Sequence, residues 1–517
     1  MSSVPDRIRR LGERYGSRTA LVELRYRDGA YRERSVLDYA RVDDLVARLV
    51  GAFDARGIGA GDRVAVLFAN GAELVVSEWA CLLTGVLWVG LNARSSAAEI
   101  EATVADCRPR LLLAGSEFDD LVAGIPAASG CETLRFDGDG WFEWIDAHPR
   151  GAARPAPAAD APVRIRYTSG TSGRPKGAVL SRGAYDASME TVASVIGPLD
   201  ESDVLAAAAP LTHASGAMWL PHAAVGASAL LLDRFEVGPF VDLVCTRGVT
   251  SVFVVPTMLI RLLDGLDDAR RLASLGTIVY GGAAMPVDRL EDGLARLGQV
   301  FVQIYGLTES TWPVCALGRA EHPTGGDAAV RRRRLASVGR PTDVGELRVD
   351  APSGEVGEIL VRGRNTMSGY WKSGAGVAAD RVVPDLGDGK GLDAEGWMHT
   401  GDVGFVDADG YVTIVDRLHD MIVSGGFNVY PREVEDALSS HPAVLEAAVV
   451  GRADPQWGAR VHAAVVLRDG ADATPEELAA HCGRTVAGYK KPRSFEFVSA
   501  LPKNAAGKVL RRALAGP

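Results

Sequence analysis

Short apolar runs alternate with amphipathic segments along the first two thirds of the chain. Each run is rich in β-branched residues and apolar on both faces, as buried parallel strands are. The runs are RVAVLF (63–68), RLLLAG (110–115), SVFVVP (251–256), TIVYGG (277–282) and VFVQIYG (300–306). Between such runs, residues 43–57 place apolar side chains at helical spacing, namely Leu45, Val46, Leu49, Val50 and Phe53. This alternation predicts an α/β fold built on parallel strands.

The pattern changes after about residue 340. GEILVRG (357–363) and GYVTIVDR (410–417) are separated by Gly- and Asp-rich segments and indicate strands of a smaller, more antiparallel unit. Beyond Arg417, helical and strand patterns alternate over about 100 residues, as in a compact α+β domain. We therefore expect two domains, residues 1–417 and 418–517.

The composition is that of an ordinary globular protein, with 47% hydrophobic and 24% charged residues among 517. Such a length corresponds to roughly three or four folding units. Lys and Arg number 56 against 66 Asp and Glu, so the formal charge is −10. This negative charge argues against an electrostatic grip on nucleic acid or anionic lipid. The basic run Arg331–Arg334 lies in a Gly-rich stretch and predicts a solvated loop.

The six cysteines lie far apart and include no C-x-x-C pair. Their spacing supports neither a zinc site nor a disulfide framework, so thiols in a cytoplasmic protein are expected. The first residues, MSSVPDRIRRLGERYG, lack the apolar core of a secretory signal. Polar or proline residues interrupt the most apolar stretches, 74–91 and 206–232, so no membrane span is expected. Monomer and homodimer both stay open.

The segment YTSGTSGRPKG (167–177) joins an apolar run to a helix-like stretch. Its small and hydroxylated residues, Thr168 to Gly173, expose N–H groups and hydroxyls that suit phosphate oxygens, and Lys176 adds positive charge. A Walker A motif would need Gly where Pro175 stands, so that motif is excluded. A flexible Gly/Ser linker would explain neither the preceding strand nor the cations that follow. The segment therefore predicts a phosphate site.

This loop resembles the phosphate-binding signature of the adenylate-forming superfamily, which includes acyl- and aryl-CoA ligases, peptide-synthetase adenylation domains and firefly luciferase. Seven further segments resemble later motifs of that superfamily and follow in its order: PLTHASG (210–216), YGGAAMP (280–286), YGLTES (305–310), SGYW (368–371), GWMHTGDVG (396–404), DRLHDMIVSGGFNVYPREVE (416–435) and PKNAAGKVLRR (502–512). The resemblance implies a large, multi-subdomain α/β domain followed by a small, mobile α+β domain.

The resemblance also implies an ATP-dependent acid–CoA ligase. In that reaction a carboxylate attacks the α-phosphorus of ATP and releases pyrophosphate, and the CoA thiol then displaces AMP. Because two anions must meet, such an enzyme neutralises charge and aligns the groups. ATP, Mg²⁺ and coenzyme A are implied as cofactors. The implied phosphate ligands are Thr168, Ser169, Gly170, Thr171, Ser172, Gly173 and Lys176.

Further nucleotide contacts follow from the same resemblance. Thr308 is expected on the α-phosphate and Glu309 on Mg²⁺, and both come directly after a strand, where α/β sheets place their ligands. Asp402 is expected to accept hydrogen bonds from the ribose hydroxyls, with Arg417 as its partner. The implied adenine site, in which the tyrosine stacks on the base, consists of Gly281, Gly282, Ala283, Tyr305 and Gly306.

Lys508 resembles the lysine that neutralises charge between the carboxylate and the α-phosphate. In the superfamily the C-terminal domain then swings about a hinge, where His419 stands in this chain, and a second loop enters for the thiol. Gly425 and Gly426 in that loop would let the pantetheine arm pass close to the main chain. Trp457 resembles an aromatic on which some aryl-CoA ligases stack the CoA nucleotide, and a packed surface aromatic is the alternative.

The resemblance places His213 among the catalytic residues, as a wall of the acyl pocket, and a satisfied core histidine is the alternative. Small residues beside the bulky Trp219 and Trp312 are the other candidate walls. We find no Arg or Lys placed to hold a second carboxylate. A monocarboxylic acid, either aryl or medium- to long-chain, is therefore expected.

Several alternatives stay open. In one, the enzyme adenylates its acid but passes the acyl group to a carrier protein or an amine. In another, nitrite is the activated species and aryl amines are diazotised. A non-enzymatic nucleotide sensor with the same fold is a third reading, against which the retained Lys508, Glu309 and Asp402 argue.

Overall fold

The architecture is taken from a computed structural model of the chain. It describes residues 2–125, 130–168, 175–373, 381–384, 391–418, 420–424, 427–503 and 509–515.

The strands of this part of the chain, in order, are β1 (Thr19–Arg27), β2 (Ala30–Asp38), β3 (Arg63–Leu67), β4 (Leu87–Gly90), β5 (Leu111–Gly115), β6 (Glu132–Phe136), β7 (Pro162–Thr168), β8 (Lys176–Ser181), β9 (Val204–Ala207), β10 (Ser228–Leu232), β11 (Ser251–Val254), β12 (Thr277–Gly281), β13 (Phe301–Tyr305), β14 (Cys315–Leu317), β15 (Arg340–Pro341), β16 (Gly345–Asp350), β17 (Gly357–Gly363), β18 (Gly369–Lys372), β19 (Arg381–Val383), β20 (Met398–Val406), β21 (Val412–Arg417), β22 (Ile422–Ser424), β23 (Phe427–Val429), β24 (Val444–Asp454), β25 (Gly458–Leu467) and β26 (Ser494–Phe497).

The α-helices of the same part are α1 (Val4–Tyr15), α2 (Tyr39–Ala55), α3 (Ala72–Thr84), α4 (Ala97–Cys107), α5 (Asp119–Val122), α6 (Gly140–Asp146), α7 (Arg182–Ile196), α8 (Ala214–Ala224), α9 (Val237–Arg247), α10 (Pro256–Gly265), α11 (Val287–Leu297), α12 (Ala328–Ala336), α13 (Pro431–Ser439), α14 (Pro475–Cys482) and α15 (Arg511–Ala515).

Two large sheets organise the chain up to β19. One has the strand order β15-β14-β13-β12-β11-β9-β10-β1-β2, and the other has the order β19-β18-β8-β7-β4-β3-β5-β6. Neighbours among β9 to β13 are parallel, as are those among β3 to β7. Antiparallel pairs lie at both ends of the first sheet, in β1–β2 and β13–β14–β15, and at one end of the second, in β7–β8–β18–β19. The largest apolar core contains inward-facing residues of both sheets together with α2, α3, α7 and α8. The α/β prediction is therefore confirmed.

Three smaller sheets follow. Strands β16, β17, β20 and β21 form an antiparallel sheet, β22 and β23 form a hairpin, and β24, β25 and β26 form a sheet with its own apolar core. Helix α13 joins the last core and also contacts the preceding unit, because the Arg432 guanidinium donates to Ile414 O at 2.9 Å. The smaller, more antiparallel unit and a compact α+β unit after it are both as predicted.

The prediction of a solvated loop at Arg331–Arg334 is wrong. These residues belong to helix α12, and their guanidiniums pair with carboxylates of other segments, as Arg332 does with Asp288 at 2.5 Å. The acidic partners are distant in sequence, so the basic run alone gave no sign of them and indicated a solvated turn. Among the helices that the structure describes, none combines the length and apolarity needed to cross a bilayer.

Candidate active site

The carboxyl ends of β12 and β13 form the centre of the candidate site. The two strands are parallel neighbours, so the segments that follow them lie at the same edge of the sheet. Gly281 ends β12, and the exposed residues Gly282 and Ala283 follow it. Tyr305 ends β13 and leads into a loop that contains Thr308. Folding thus brings together segments that are separated by more than twenty residues.

A buried carboxylate, Asp402, lies against the end of β13. The Tyr305 hydroxyl donates to Asp402 Oδ2 at 2.6 Å, and Arg417 Nε lies 2.5 Å from Asp402 Oδ1. Asp402 on β20 and Arg417 on β21 are register partners in an antiparallel pair, which explains their approach. The Asp402 carboxylate raises the pKa of the Arg417 guanidinium, and burial raises the pKa of Tyr305 well above its usual range. The three residues form one charge-assisted cluster.

Glu309 lies within electrostatic range of that cluster, because its charge also raises the pKa of Arg417. Its Oε1 accepts a hydrogen bond of 3.0 Å from the Tyr370 hydroxyl, and its backbone oxygen accepts one from Met367 N at 2.7 Å. The Lys176 Nζ lies 5.6 Å from the centre of the Tyr370 ring. Tyr370 therefore connects the first lysine of β8 with the carboxylate that follows β13.

The glycines of the site are needed for different reasons, either close packing or an unusual backbone angle. A Cβ on Gly281 would lie 2.4 Å from Ile304 O, and one on Gly306 would lie 2.6 Å from Trp312 Cβ. Close packing of β13 and its following loop therefore requires both residues. Gly282 has a φ of +81° and no atom within 4 Å of the position of a Cβ, so its backbone borders open space.

The phosphate loop is described only at its two ends. Thr168 on β7 and Lys176 on β8 are register partners, and both flank the loop as expected. The expected phosphate ligands Ser169, Gly170, Thr171, Ser172 and Gly173 lie outside the described residues.

The other expected residues that lie outside the described part are the catalytic lysine, the hinge residue and the two glycines of the thiol loop: Lys508, His419, Gly425 and Gly426.

His213 immediately precedes helix α8, and its Nδ1 lies 2.9 Å from Thr212 Oγ1. Trp457 lies far along the chain, in the turn between β24 and β25. The Arg493 guanidinium stacks on its ring, with the carbon Cζ 4.1 Å from the ring centre. One face of the tryptophan is thus already covered by a cation.

A family model supplies the observation that decides what this arrangement is. The model of the AMP-binding enzyme matches residues 8–371, and that of the AMP-binding enzyme C-terminal domain matches residues 433–508. This chain belongs to the AMP-binding enzyme family. The matched ranges include the loop at 168–176, the ends of β12 and β13, and Lys508.

Relatives within the AMP-binding family support the same conclusion. The chain is 37% identical to a feruloyl-CoA synthase of Amycolatopsis sp. over 497 residues, covering 92% of this chain and 93% of the relative. It is 34% identical to a fatty acid–[acyl-carrier-protein] ligase of Streptomyces coeruleorubidus, covering 93% and 92%. The structure of o-succinylbenzoate CoA synthetase of Bacillus subtilis with its acyl-adenylate intermediate matches with a TM-score of 0.83, at 28% identity, over 100% of this chain and 99% of that one.

These comparisons confirm the reaction class expected from the sequence. The protein is an acid–thiol ligase that activates a carboxylic acid with ATP and transfers it to CoA, and it uses ATP, Mg²⁺ and CoA.

The acidic side chains of the site fit a metal that arrives with ATP. Among the described residues, no cluster of three His, Cys, Asp or Glu side chains could hold a metal ion by itself. Mg²⁺ in nucleotide enzymes is bound through one or two carboxylates together with substrate phosphates. Glu309 offers one such carboxylate, since the hydrogen bond from Tyr370 engages only its Oε1.

Sequence reasoning assigned no role to two residues near the site. Tyr370 lies in SGYW, a motif that was recognised without a function, and only the fold brings its hydroxyl to Glu309. Arg166 was missed because arginines at alternate positions of a strand, here Arg164 and Arg166, look like its polar, solvent-facing side. In the structure it lines a cavity beside α8.

Proposed function

We propose that this enzyme activates an aromatic carboxylic acid as its acyl adenylate and transfers the acyl group to the CoA thiol. The feruloyl-CoA synthase and the o-succinylbenzoate CoA synthetase that resemble it are both named for acids with an aromatic ring. The cluster formed by Tyr305, Asp402 and Arg417 beside Glu309 is the observation on which the proposal depends. It offers a buried carboxylate for a diol and a second carboxylate for a metal.

In this proposal each described residue has one task. Thr168 and Lys176 hold the outer phosphates, and Thr308 holds the α-phosphate. Asp402 accepts the hydrogen bonds of the ribose, and Arg417 and Tyr305 keep its carboxylate oriented. The adenine lies between Tyr305 and the open backbone at Gly282 and Ala283, next to Gly306.

Residues outside the described part of the chain, or distant along it, complete the proposed cycle. Ser169 to Gly173 surround the phosphates, and Lys508 neutralises the charge that develops during adenylation. The domain boundary is proposed between Arg417 and residue 418, near His419. Gly425, Gly426 and Trp457 then serve CoA, and His213 lines the acyl pocket.

An exchange experiment tests the proposed substrate class. Isotope exchange between ATP and pyrophosphate is measured with matched acids: benzoate, cinnamate and ferulate against hexanoate, decanoate and palmitate. We expect the aromatic acids to give the highest kcat/KM. Exchange that is faster with the straight-chain acids, or absent with all of them, contradicts the proposal.

Transfer to a carrier protein is the second candidate function. The 34% identity to a fatty acid–[acyl-carrier-protein] ligase favours it, since that relative covers nearly the whole chain. Product formation is compared with free CoA, with a phosphopantetheine-loaded carrier and with neither. A thioester on the carrier at a rate above that on CoA would establish the second candidate.

The protein is also proposed to be cytoplasmic. All six cysteines are thiols in the structure, as is usual in a reducing compartment.

A further inference from the structure

Strand β7, which leads into the phosphate loop, has two arginines on one face. Successive side chains of a strand point to opposite faces, so Arg164 and Arg166 share a face. Ile165 and Tyr167 point to the other face and pack into an apolar core. Basic residues at alternate positions of an otherwise apolar strand need partners, because buried charge is costly.

Arg164 has its partners. Its guanidinium forms an ion pair with Glu78 of α3 and donates to Thr212 O at 2.9 Å. The Tyr185 hydroxyl of α7 donates to the same Glu78 carboxylate at 2.8 Å. The carboxylate of Glu78 is therefore already engaged by one guanidinium and one phenol.

Arg166 has none of these contacts. Its Nε is sealed from solvent and has no hydrogen-bond partner, and among the described residues no carboxylate forms an ion pair with its guanidinium. Burial lowers the pKa of Arg166 to about 9, and the neighbouring Arg164 acts in the same direction. Among the described residues, the two guanidiniums share the single carboxylate of Glu78, which leaves one positive charge unbalanced there.

The Arg166 side chain lines a small, partly open cavity between β7, α7 and α8. The rest of its lining is Tyr185, Ser188, Met189, Ala217, Leu220 and Thr311.

Both flanks of this cavity lie close in sequence to residues of the candidate active site. Thr311 comes two residues after Glu309, and Ala217 lies on the helix that begins directly after His213. The lining is thus partly apolar, with a single cationic group and three hydroxyls. Such a wall suits an organic substituent that ends in an anion, because the phosphate chain of a nucleotide would leave the apolar wall unused.

We propose that Arg166 binds a second anionic group, a carboxylate, on the acid that this enzyme activates. The inference rests on the proposed function and narrows its substrate to an aromatic acid with a distal carboxylate. A guanidinium can donate two parallel hydrogen bonds to a carboxylate, and the ligand would supply the charge that the protein lacks at this point. The proposal departs from the monocarboxylic acid expected from the sequence.

Matched pairs of acids test the inference in the pyrophosphate exchange assay. The pairs are benzoate with terephthalate and cinnamate with 4-carboxycinnamate, and the variants are Arg166→Met and Arg166→Lys. We expect the native enzyme to prefer each diacid by at least about tenfold in kcat/KM. Arg166→Met should lower kcat/KM for the diacids by about 10²-fold and change that for the monoacids by less than about threefold. Arg166→Lys, which keeps the charge without the planar fork, should recover part of the loss.

Arg32→Met is the matched control, since Arg32 is an exposed arginine of the edge strand β2. Arg32→Met should leave the diacid-to-monoacid ratio of kcat/KM unchanged for both pairs. The melting temperature shows whether the variants fold, and Arg166→Met should be at least as stable as the native protein because it removes a half-buried charge that no described carboxylate pairs with. Terephthalate alone should raise the melting temperature of the native protein and not that of Arg166→Met.

Three results would overturn the inference. If the native enzyme has a higher kcat/KM for the monoacids, Arg166 does not form a carboxylate site. Equal losses for both members of each pair in Arg166→Met indicate a structural role. If Arg166→Met raises the KM for ATP and leaves the diacid-to-monoacid ratios of kcat/KM unchanged, Arg166 is a phosphate ligand. If exchange occurs with none of the acids, the proposed function fails with it, whereas exchange with monoacids alone rejects only the second carboxylate.

Discussion

At the scale of single residues, Asp402 combines deep burial with two donors on its carboxylate. Tyr305 approaches one oxygen and Arg417 the other, at 2.6 and 2.5 Å. A carboxylate has about four acceptor positions, so these contacts leave room for a diol. Removing its charge would also leave the half-buried Arg417 guanidinium without its partner.

The first prediction concerns this cluster. Asp402→Asn should lower kcat/KM for ATP by about 10²-fold, or about 3 kcal/mol, because a charge-assisted contact to the nucleotide is lost. Tyr305→Phe removes only one neutral donor and should cost about fivefold, or about 1 kcal/mol. Pyrophosphate exchange at varied ATP measures both. Equal KM values for ATP in Asp402→Asn and the native enzyme would show that Asp402 does not contact the nucleotide.

The second prediction concerns the metal. Glu309→Gln keeps the size of the side chain but removes its charge, so the Mg²⁺ concentration for half-maximal exchange should rise by at least about tenfold. Tyr370→Phe is the control, because it removes a hydrogen bond to Oε1 and leaves the carboxylate. It should shift the Mg²⁺ requirement by less than about threefold. An unchanged Mg²⁺ dependence in Glu309→Gln would remove Glu309 from the metal site.

Single residues also show the limits of reading the chain alone. Thr308 and Glu309 were found through their position after a strand and through a motif, and both signals are local. Tyr370 and Arg166 acquire meaning only from neighbours that are distant in sequence. Gly281 was expected to leave room for a base, yet a Cβ there would already collide with Ile304 O at 2.4 Å.

At the scale of elements, the junction of β21 with α13 contains a buried acid. Asp416 accepts hydrogen bonds of 2.7 Å from Arg417 N and from Arg432 N, near the start of α13. Burial nevertheless raises the pKa of Asp416 to about 6, and the two backbone donors oppose that shift. Asp416 therefore keeps its proton to a higher pH in the folded protein than in the unfolded chain.

The third prediction follows from that pKa. Because the folded-state pKa lies above the ordinary value of 3.8, the folded protein binds the proton more tightly than the unfolded chain does. The contribution of Asp416 to the free energy of unfolding is therefore highest below pH 4 and falls by up to about 3 kcal/mol as the pH rises through 6. Urea unfolding of the native protein and Asp416→Asn between pH 4 and 7 measures the difference. Parallel curves for the two proteins would contradict the assignment.

At the scale of the whole molecule, the two half-reactions need different groups beside the same adenylate. The last β-sheet and its helices have their own apolar core, and the connection to the larger part runs through β21. A small unit with its own core can change its position when only a few backbone angles change. Family membership thus agrees with an exchange of loops between the two steps.

The fourth prediction separates those steps. Lys508→Ala should lower the rate of adenylation by about 10²–10³-fold, because charge neutralisation between carboxylate and phosphate is lost. Transfer from a supplied acyl adenylate to CoA should change by less than about threefold, since that step uses other residues. Single-turnover measurements of adenylation and of transfer, in Lys508→Ala and in the native enzyme, test this prediction. Equal losses in both would mean that Lys508 acts in both arrangements or supports the fold.

The sequence by itself determined the fold class, the family and the order of the site segments. Apolar period and motif order are local properties, and they depend on side-chain chemistry that a chain displays in any conformation. Tertiary structure alone decided which charges are balanced. Arg331–Arg334 form ion pairs with carboxylates of other segments, whereas Arg166 forms no ion pair with a carboxylate among the described residues. The reason is physical: the free energy of a charge depends on burial and on partners within a few ångströms, and folding assigns both.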